Sequence, residues 1–158
     1  MTRKAAILTI MMSAAAAAQS STGYLFFAPG GATSGQSTAV TFHAGGGFDA
    51  IVAKGVGVNM EIGALWPREC FADCVIGLFS PGGTYHFLRG PERKLDPFVA
   101  GGYSLAFRNG HANAFYFGGG ANYWMSRKAG LRLELRDNML PDDMSGHLWS
   151  VRIGLAFR

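Results

Sequence analysis

Hydrophobic and polar side chains alternate one for one over long stretches of this chain. Between Val56 and Trp66 the apolar set is Val56, Val58, Met60, Ile62, Ala64 and Trp66, interleaved with Gly57, Asn59, Glu61, Gly63 and Leu65. Leu131, Leu133 and Leu135 alternate with Arg132, Glu134 and Arg136. Near the C-terminus Trp149, Val151, Ile153, Leu155 and Phe157 alternate with Ser150, Arg152, Gly154 and Ala156. Period two marks strands with two unlike faces; a helix would turn each leucine of the second set about 200° from the last, with charges between them. The pattern predicts eight strands, at 22–28, 38–48, 55–66, 75–87, 97–108, 113–125, 129–137 and 147–157. The segments AIVAKG, RGPERKLD and SRKA connect three pairs at one end, and PGGATSGQS, PRECFADC, RNGHA and NMLPDDMSG lie at the other. Short connections between successive strands predict an antiparallel up-and-down meander.

Part of the chain repeats. Gly45–Gly63 aligns without gaps to Gly118–Arg136: three glycines, then Asp49 or Asn122, a basic Lys54 or Arg127, Gly57 or Gly130, and alternating apolar residues around Glu61 or Glu134. A looser third copy starts at Gly82, crosses RGPERKLD and resumes at Pro97. The repeated unit is a hairpin. Its glycine run does not match G-x-x-x-x-G-K-[ST], and no helical pattern follows it, so a phosphate loop is not expected.

Eight such strands can close into a soluble barrel, apolar inside, or a membrane barrel, apolar outside. One set of faces carries Phe79, Tyr85, Phe87, Val99, Tyr103, Leu105, Phe107, Phe115, Phe117 and Tyr123. The opposite set alternates glycine with charge: His43, Gly45, Gly47 and Asp49; Asn59 and Glu61; Gly118, Gly120 and Asn122; Arg132, Glu134 and Arg136; Arg152. Lysine, the usual occupant of a solvated face, occurs only four times, near predicted turns or at the N-terminus. Arginine paired with glutamate suits a narrow closed lumen, where guanidinium and carboxylate satisfy each other. The expectation is therefore an eight-stranded antiparallel up-and-down transmembrane β-barrel. Glu61, Arg132, Glu134, Arg136 and Arg152 form a charge network inside it, and the aromatic and aliphatic set faces lipid. Most predicted strands match the ~9–11 residues of a tilted membrane strand. Trp66, Phe87, Tyr123 and Trp149 fall near strand ends, as interfacial girdles do.

Composition agrees: 158 residues with 23 glycines, 13% aromatic and only 15% charged suit one β domain. Arg3 and Lys4 precede an apolar run ending in Ala16-Ala17-Ala18, the pattern of a secretory signal peptide. Residues 1–18 are assigned to it and 19–158 to the barrel domain. Without Arg3 and Lys4 the balance is 12 basic to 10 acidic side chains, scattered rather than clustered, so no nucleic-acid partner is expected. Cys70 and Cys74 are the only cysteines. In an exported chain they are expected to form a local disulfide rather than a metal site, since no histidine or second cysteine pair stands beside them.

The run GGGANYWMSRKAGLRLELRDN, with the terminal WSVRIGLAFR, resembles the small outer-membrane β-barrel proteins of the OmpA/OmpX-like group. They share a glycine-rich strand, a short turn and a strand of the form GLRxExR. The resemblance implies a Gram-negative-type outer membrane, periplasmic termini, and outer-membrane lipids and lipopolysaccharide as surroundings. The last strand, with Phe157 penultimate, resembles the family's signal to the barrel-assembly machinery. No periplasmic domain is expected to follow at Arg158.

No HExxH, G-x-S-x-G or cofactor motif is present, and no cofactor or metal is expected. Some barrels of this kind modify lipid A with a serine, a histidine and an acid near the outer leaflet. The candidates here are His111, and His147 with Ser145, Asp142 and Asp143; they are read as polar loop residues, and His43 and His86 as hydrogen-bonding residues of lumen or rim. The expected function is a non-catalytic structural or surface-interaction role with an undetermined extracellular partner. A lipid A-modifying enzyme and a soluble lipocalin-like ligand-binding barrel are the alternatives.

Overall fold

The computed structural model describes residues 20–34, 37–70, 74–88, 92–108, 110–140 and 146–158; the signal-peptide assignment, residues 1–18, lies outside them. Eight strands run in chain order: β1 (Ser20–Ser34), β2 (Ser37–Ala53), β3 (Val56–Pro67), β4 (Ile76–His86), β5 (Leu95–Phe107), β6 (His111–Trp124), β7 (Ala129–Leu140) and β8 (Gly146–Phe157). Each pairs antiparallel with the next, and β8 returns to β1, from Gly23↔Phe157 to Thr33↔His147. The sheet is a closed barrel, so no edge strand is left with unpaired backbone groups.

The strands outrun their expected limits where glycine and proline had suggested loops. β1 runs through Pro29-Gly30-Gly31 to Ser34 and pairs with β2 throughout, Pro29 opposite Phe42. The missing N–H of proline interrupts only the other ladder, where pairing with β8 skips from Phe27 to Gly30. Pro81 does the same between β4 and β5, where pairing skips from Phe79 to Gly82. A proline in a membrane strand thus removes one ladder bond without ending the strand. The β2–β3 connection, expected to span six residues, narrows to Lys54-Gly55. Both have positive φ, 42° and 92°, as a two-residue type I′ hairpin requires. A register shift between Ile51 and Ala53 sits just before it.

The two faces divide as a membrane barrel requires. Leu25, Phe27, Ile62, Phe87, Phe115, Phe117, Leu133, Leu135 and Ile153 point outward and are exposed. Asp49, Glu61, His86, Asp96, Arg132, Glu134, Arg136 and Arg152 point inward and are buried. A soluble lipocalin-like barrel has the opposite arrangement. The girdle candidates lie outward near strand ends: Phe87, Tyr123 and Trp149 are exposed, and Trp66 is half-buried.

The inner face is not composed of glycine and charge alone, as the sequence pattern suggested. Tyr24, Phe26, Phe98, Tyr116 and Trp124 are also inside and buried. Glycine makes room for them. A methyl at Gly82 would overlap the Tyr116 hydroxyl, and one at Gly47 would come within 2.8 Å of the Tyr24 hydroxyl.

Candidate functional site

Among the described residues, buried polar chemistry converges inside the barrel, and it is layered along the axis. The end with the β2–β3, β4–β5 and β6–β7 connections is here the turn end. The other is the loop end.

The middle layer holds the five charged residues singled out from the sequence. On β7, Arg132, Glu134 and Arg136 alternate with outward leucines, so all three reach the lumen from one strand. Glu134 lies directly opposite Arg152 of β8 in the ladder, and Glu61 reaches across from β3. Arg136 contacts Glu134 Oε1 through Nε at 2.7 Å and Nη2 at 2.6 Å, and Glu61 Oε1 through Nη1 at 3.2 Å. Arg132 donates to Glu134 Oε2 from Nε at 3.3 Å and Nη2 at 3.2 Å. Arg152 lies 3.3 Å from Glu134 Oε1 and 2.5 Å from Glu61 Oε1. Tyr24 donates its hydroxyl to Glu61 Oε2 at 3.0 Å.

The buried aromatics stack on these cations. Arg132 lies over Phe98 at 3.9 Å and Tyr24 at 4.3 Å, Arg136 over Tyr116 at 4.3 Å, and Arg152 over Phe26 at 3.7 Å. Ring faces supply negative potential, so the aromatics offset three guanidinium charges against two carboxylates.

Toward the turn end lies a second polar layer. His86 meets Asp96 through Nδ1 at 2.9 Å and Asp49 through Nε2 at 3.0 Å. A carboxylate at each ring nitrogen calls for a donor at each, which is the imidazolium form. Thr84 donates to Asp49 at 2.8 Å and Asn122 to Asp96 at 3.1 Å, and Arg132 donates to Asn122 Oδ1 at 3.3 Å, joining the two layers. Asp49, Asn122 and His86 were expected on or near the inner face, but Asp96 was not, because β5 was expected to begin at Pro97. The strand begins at Leu95, and Asp96 takes an inward position. It lies opposite Asn122 in the β5–β6 register; in the sequence its one mark is its spacing of two from the apolar Phe98, which shares its face.

Above the charged layer, Ser80 and Ser104 share a hydrogen bond of 2.7 Å, Ser104 reaches Asn138 Oδ1 at 3.2 Å, and Asn138 donates to Leu148 O at 3.2 Å. Above these, at the loop end, the inward positions turn apolar and line a cavity of about 640 Å³.

Among the described residues, the remaining candidates make no hydrogen bond to the lumen charges. Cys70 and Cys74 form a disulfide after β3. His43 is inside, edge-on to Phe26 at 4.9 Å. His111 is exposed at the start of β6. His147 is on the outer face, its Nδ1 2.7 Å from Asp137 Oδ2; Asp142, Asp143 and Ser145 lie outside the described residues. No group of three or more histidine, cysteine or carboxylate side chains among the described residues is arranged to hold a metal ion.

No family model matches the sequence, and no curated protein does. Solved structures do. Neisserial surface protein A matches with a TM-score of 0.71 over 87% of this chain and 96% of its own, at 11% identity. The chain has the fold of the small outer-membrane β-barrels. The N-terminal barrel domain of Pseudomonas aeruginosa OprF matches with a TM-score of 0.61 over 85% and 96%, at 15% identity. Ail, the attachment invasion locus protein of Yersinia pestis, matches with 0.56 over 87% and 96%, at 11% identity. At such identities the likeness is one of backbone architecture.

Proposed function

We propose that this chain is an integral barrel of a Gram-negative-type outer membrane, exported with a cleaved signal peptide in residues 1–18, with a structural or surface-interaction role and no catalysis. The observation that carries this reading is the inverted polarity: exposed aromatic and aliphatic rows outside, ion-paired arginines and carboxylates inside. An apolar outer surface of this extent is stable only against lipid. In this reading the turn end is periplasmic and the loop end extracellular, lipids and lipopolysaccharide surround the wall, and the barrel-assembly machinery inserts it. The Glu61, Arg132, Glu134, Arg136 and Arg152 network closes the lumen, as expected where eight strands leave room only for side chains, so an open water channel is not part of the function. Fractionation after expression tests the reading. A heat-modifiable band in the outer-membrane fraction supports it, and a monomer soluble without detergent overturns it.

A lipid A-modifying enzyme remains the second reading because of the His147–Asp137 pair. A carboxylate on Nδ1 is how a catalytic histidine is held with Nε2 ready to act as base, and this pair faces outward at the loop end, where an outer-leaflet lipid would lie. No hydroxyl among the described residues donates to Nε2, so the pair lacks a nucleophile there. Mass spectrometry of lipid A from cells expressing wild type and His147→Ala decides it: identical acyl patterns are expected, and an acyl change dependent on His147 would establish the enzyme.

A further inference from the structure

The apolar mouth breaks the pattern of the rest of the lumen. Membrane barrels carry polar groups where the interior meets water, yet here the inward positions at the loop end include Leu65, Leu78, Ala106, Ala114, Leu140 and Leu148 around a cavity of about 640 Å³. That volume falls in the ~300–1,000 Å³ range of ligand pockets. The alanines keep it open, since larger side chains at their positions would fill it. The polar groups on its floor are already engaged with one another, Ser80 with Ser104, Ser104 with Asn138, and Asn138 with the Leu148 carbonyl. They ask for no polar partner from an occupant. Beneath them lie the ion-paired arginines and glutamates of the middle layer, which give the cavity a floor of side chains. Glu69 is the one carboxylate among the lining residues and is exposed; it disfavours an anionic head group at the opening.

We propose that this cup is a binding site for a single hydrocarbon chain whose uncharged polar head stays at the rim. The mainly apolar lining selects for an alkyl chain, and Thr33, Ser37, Thr38 and Asn113, which also line the cavity, offer hydrogen-bonding partners to an uncharged head group. The proposal rests on the membrane reading only for where the cup faces. Such a chain can arrive as a free amphiphile from outside or as the tail of a lipid of the outer leaflet. The chemistry is the same, and the test separates the sources.

The full barrel, reconstituted in lipid nanodiscs with ¹³C-labelled alanine and leucine methyls, is titrated with 1-dodecanol. The expected result is a saturable shift of the Ala114, Leu78 and Leu148 methyls that the lipid-facing Leu131, Leu133 and Leu135 do not share. Without dodecanol, a lipid spin-labelled at its chain end is expected to broaden the same cup methyls only if the bilayer supplies the occupant. Ala114→Trp fills the cup and is expected to abolish the saturable shift. Should it fail to give a heat-modifiable barrel, Ala106→Phe serves instead, and the wild-type titration stands by itself. Absence of both the shift and the broadening overturns the proposal. So does a shift in the cup that follows, without saturation, the one at the lipid-facing leucines, or one that persists in a folded filling variant. Heat-modifiability read on the same sample reports the membrane barrel separately, so loss of the cup and loss of the membrane reading are distinguishable.

Discussion

Glu134→Gln is the sharpest perturbation of the lumen. Glu134 is 1% exposed and contacts all three lumen arginines: Arg136 at 2.6 and 2.7 Å, Arg132 at 3.2 and 3.3 Å, and Arg152 at 3.3 Å. Glutamine keeps the shape and removes the charge. Arg136 and Arg152 still share Glu61, but Glu134 is the carboxylate that Arg132 contacts, leaving it Asn122 and the faces of Phe98 and Tyr24. Removing one partner of a buried ion pair costs ~3–5 kcal/mol because the survivor stays buried and uncompensated. The charge-neutralising double variant Glu134→Gln with Arg132→Met should recover part of that loss, since the stranded cation is removed with its partner. The assay is urea unfolding from lipid vesicles, followed by circular dichroism and by heat-modifiable electrophoresis. A Glu134→Gln cost below ~1 kcal/mol, the value of a surface pair, would refute the reasoning. So would strict additivity of the two substitutions, since coupled neighbours deviate by ~0.5–3 kcal/mol.

Leu133→Arg on the outer face of β7, a residue 55% exposed, should cost ~2–4 kcal/mol in vesicles if it lies near the bilayer midplane; an effect near zero would place that face in water. Gly82→Ala pushes a methyl into the Tyr116 hydroxyl, which donates to Asn59 at 3.0 Å. It is expected to destabilise by ~1–3 kcal/mol, while Gly23→Ala, with nothing within 4 Å of an added methyl, is the neutral comparison in the same unfolding assay. Replacing Cys70 and Cys74 together by serine should lower stability by only about 2 kcal/mol, because the closed loop is short. Reduction should alter the electrophoretic mobility of wild type and not of the variant.

The strands were legible because a membrane barrel writes its two environments into alternate residues, most plainly in β3, β7 and β8. Strand ends were less so. Pro29 and Gly30 look like a loop in sequence, yet a proline facing one ladder leaves the other intact, and only the register shows which ladder is spared. Which charged residues share a face followed from period two. Which guanidinium meets which carboxylate did not, because β3 reaches β7 across the lumen, and that depends on strand tilt and stagger. The inward aromatics escaped notice for a chemical reason. Tyr24, Phe26, Phe98 and Tyr116 look lipid-facing by hydrophobicity, but they are the ring faces against which the arginines lie. The apolar cup was hidden partly in segments read as loops, which held Ala32 and Ala112, and partly at the ends of expected strands, where Ala39 and Ala106 have no polar alternation strong enough to mark them.

The ion-paired side chains inside the barrel have a consequence for how the ring is completed. Arg132, Arg136, Arg152 and His86 as imidazolium stand against Asp49, Glu61, Asp96 and Glu134, four cations to four carboxylates. Neither half of the chain is neutral. β1 to β4 contribute Asp49, Glu61 and His86, one negative charge in excess; β5 to β8 contribute Asp96, Glu134 and three arginines, one positive in excess. A half-formed sheet therefore carries an interior charge with no counterpart, a state that lipid penalises. The excess is cancelled only when the two halves come together, where Glu61 of β3 meets Arg136 and Arg152 of β7 and β8, so the interior acts as a checksum on assembly, reading zero when both halves share one lumen.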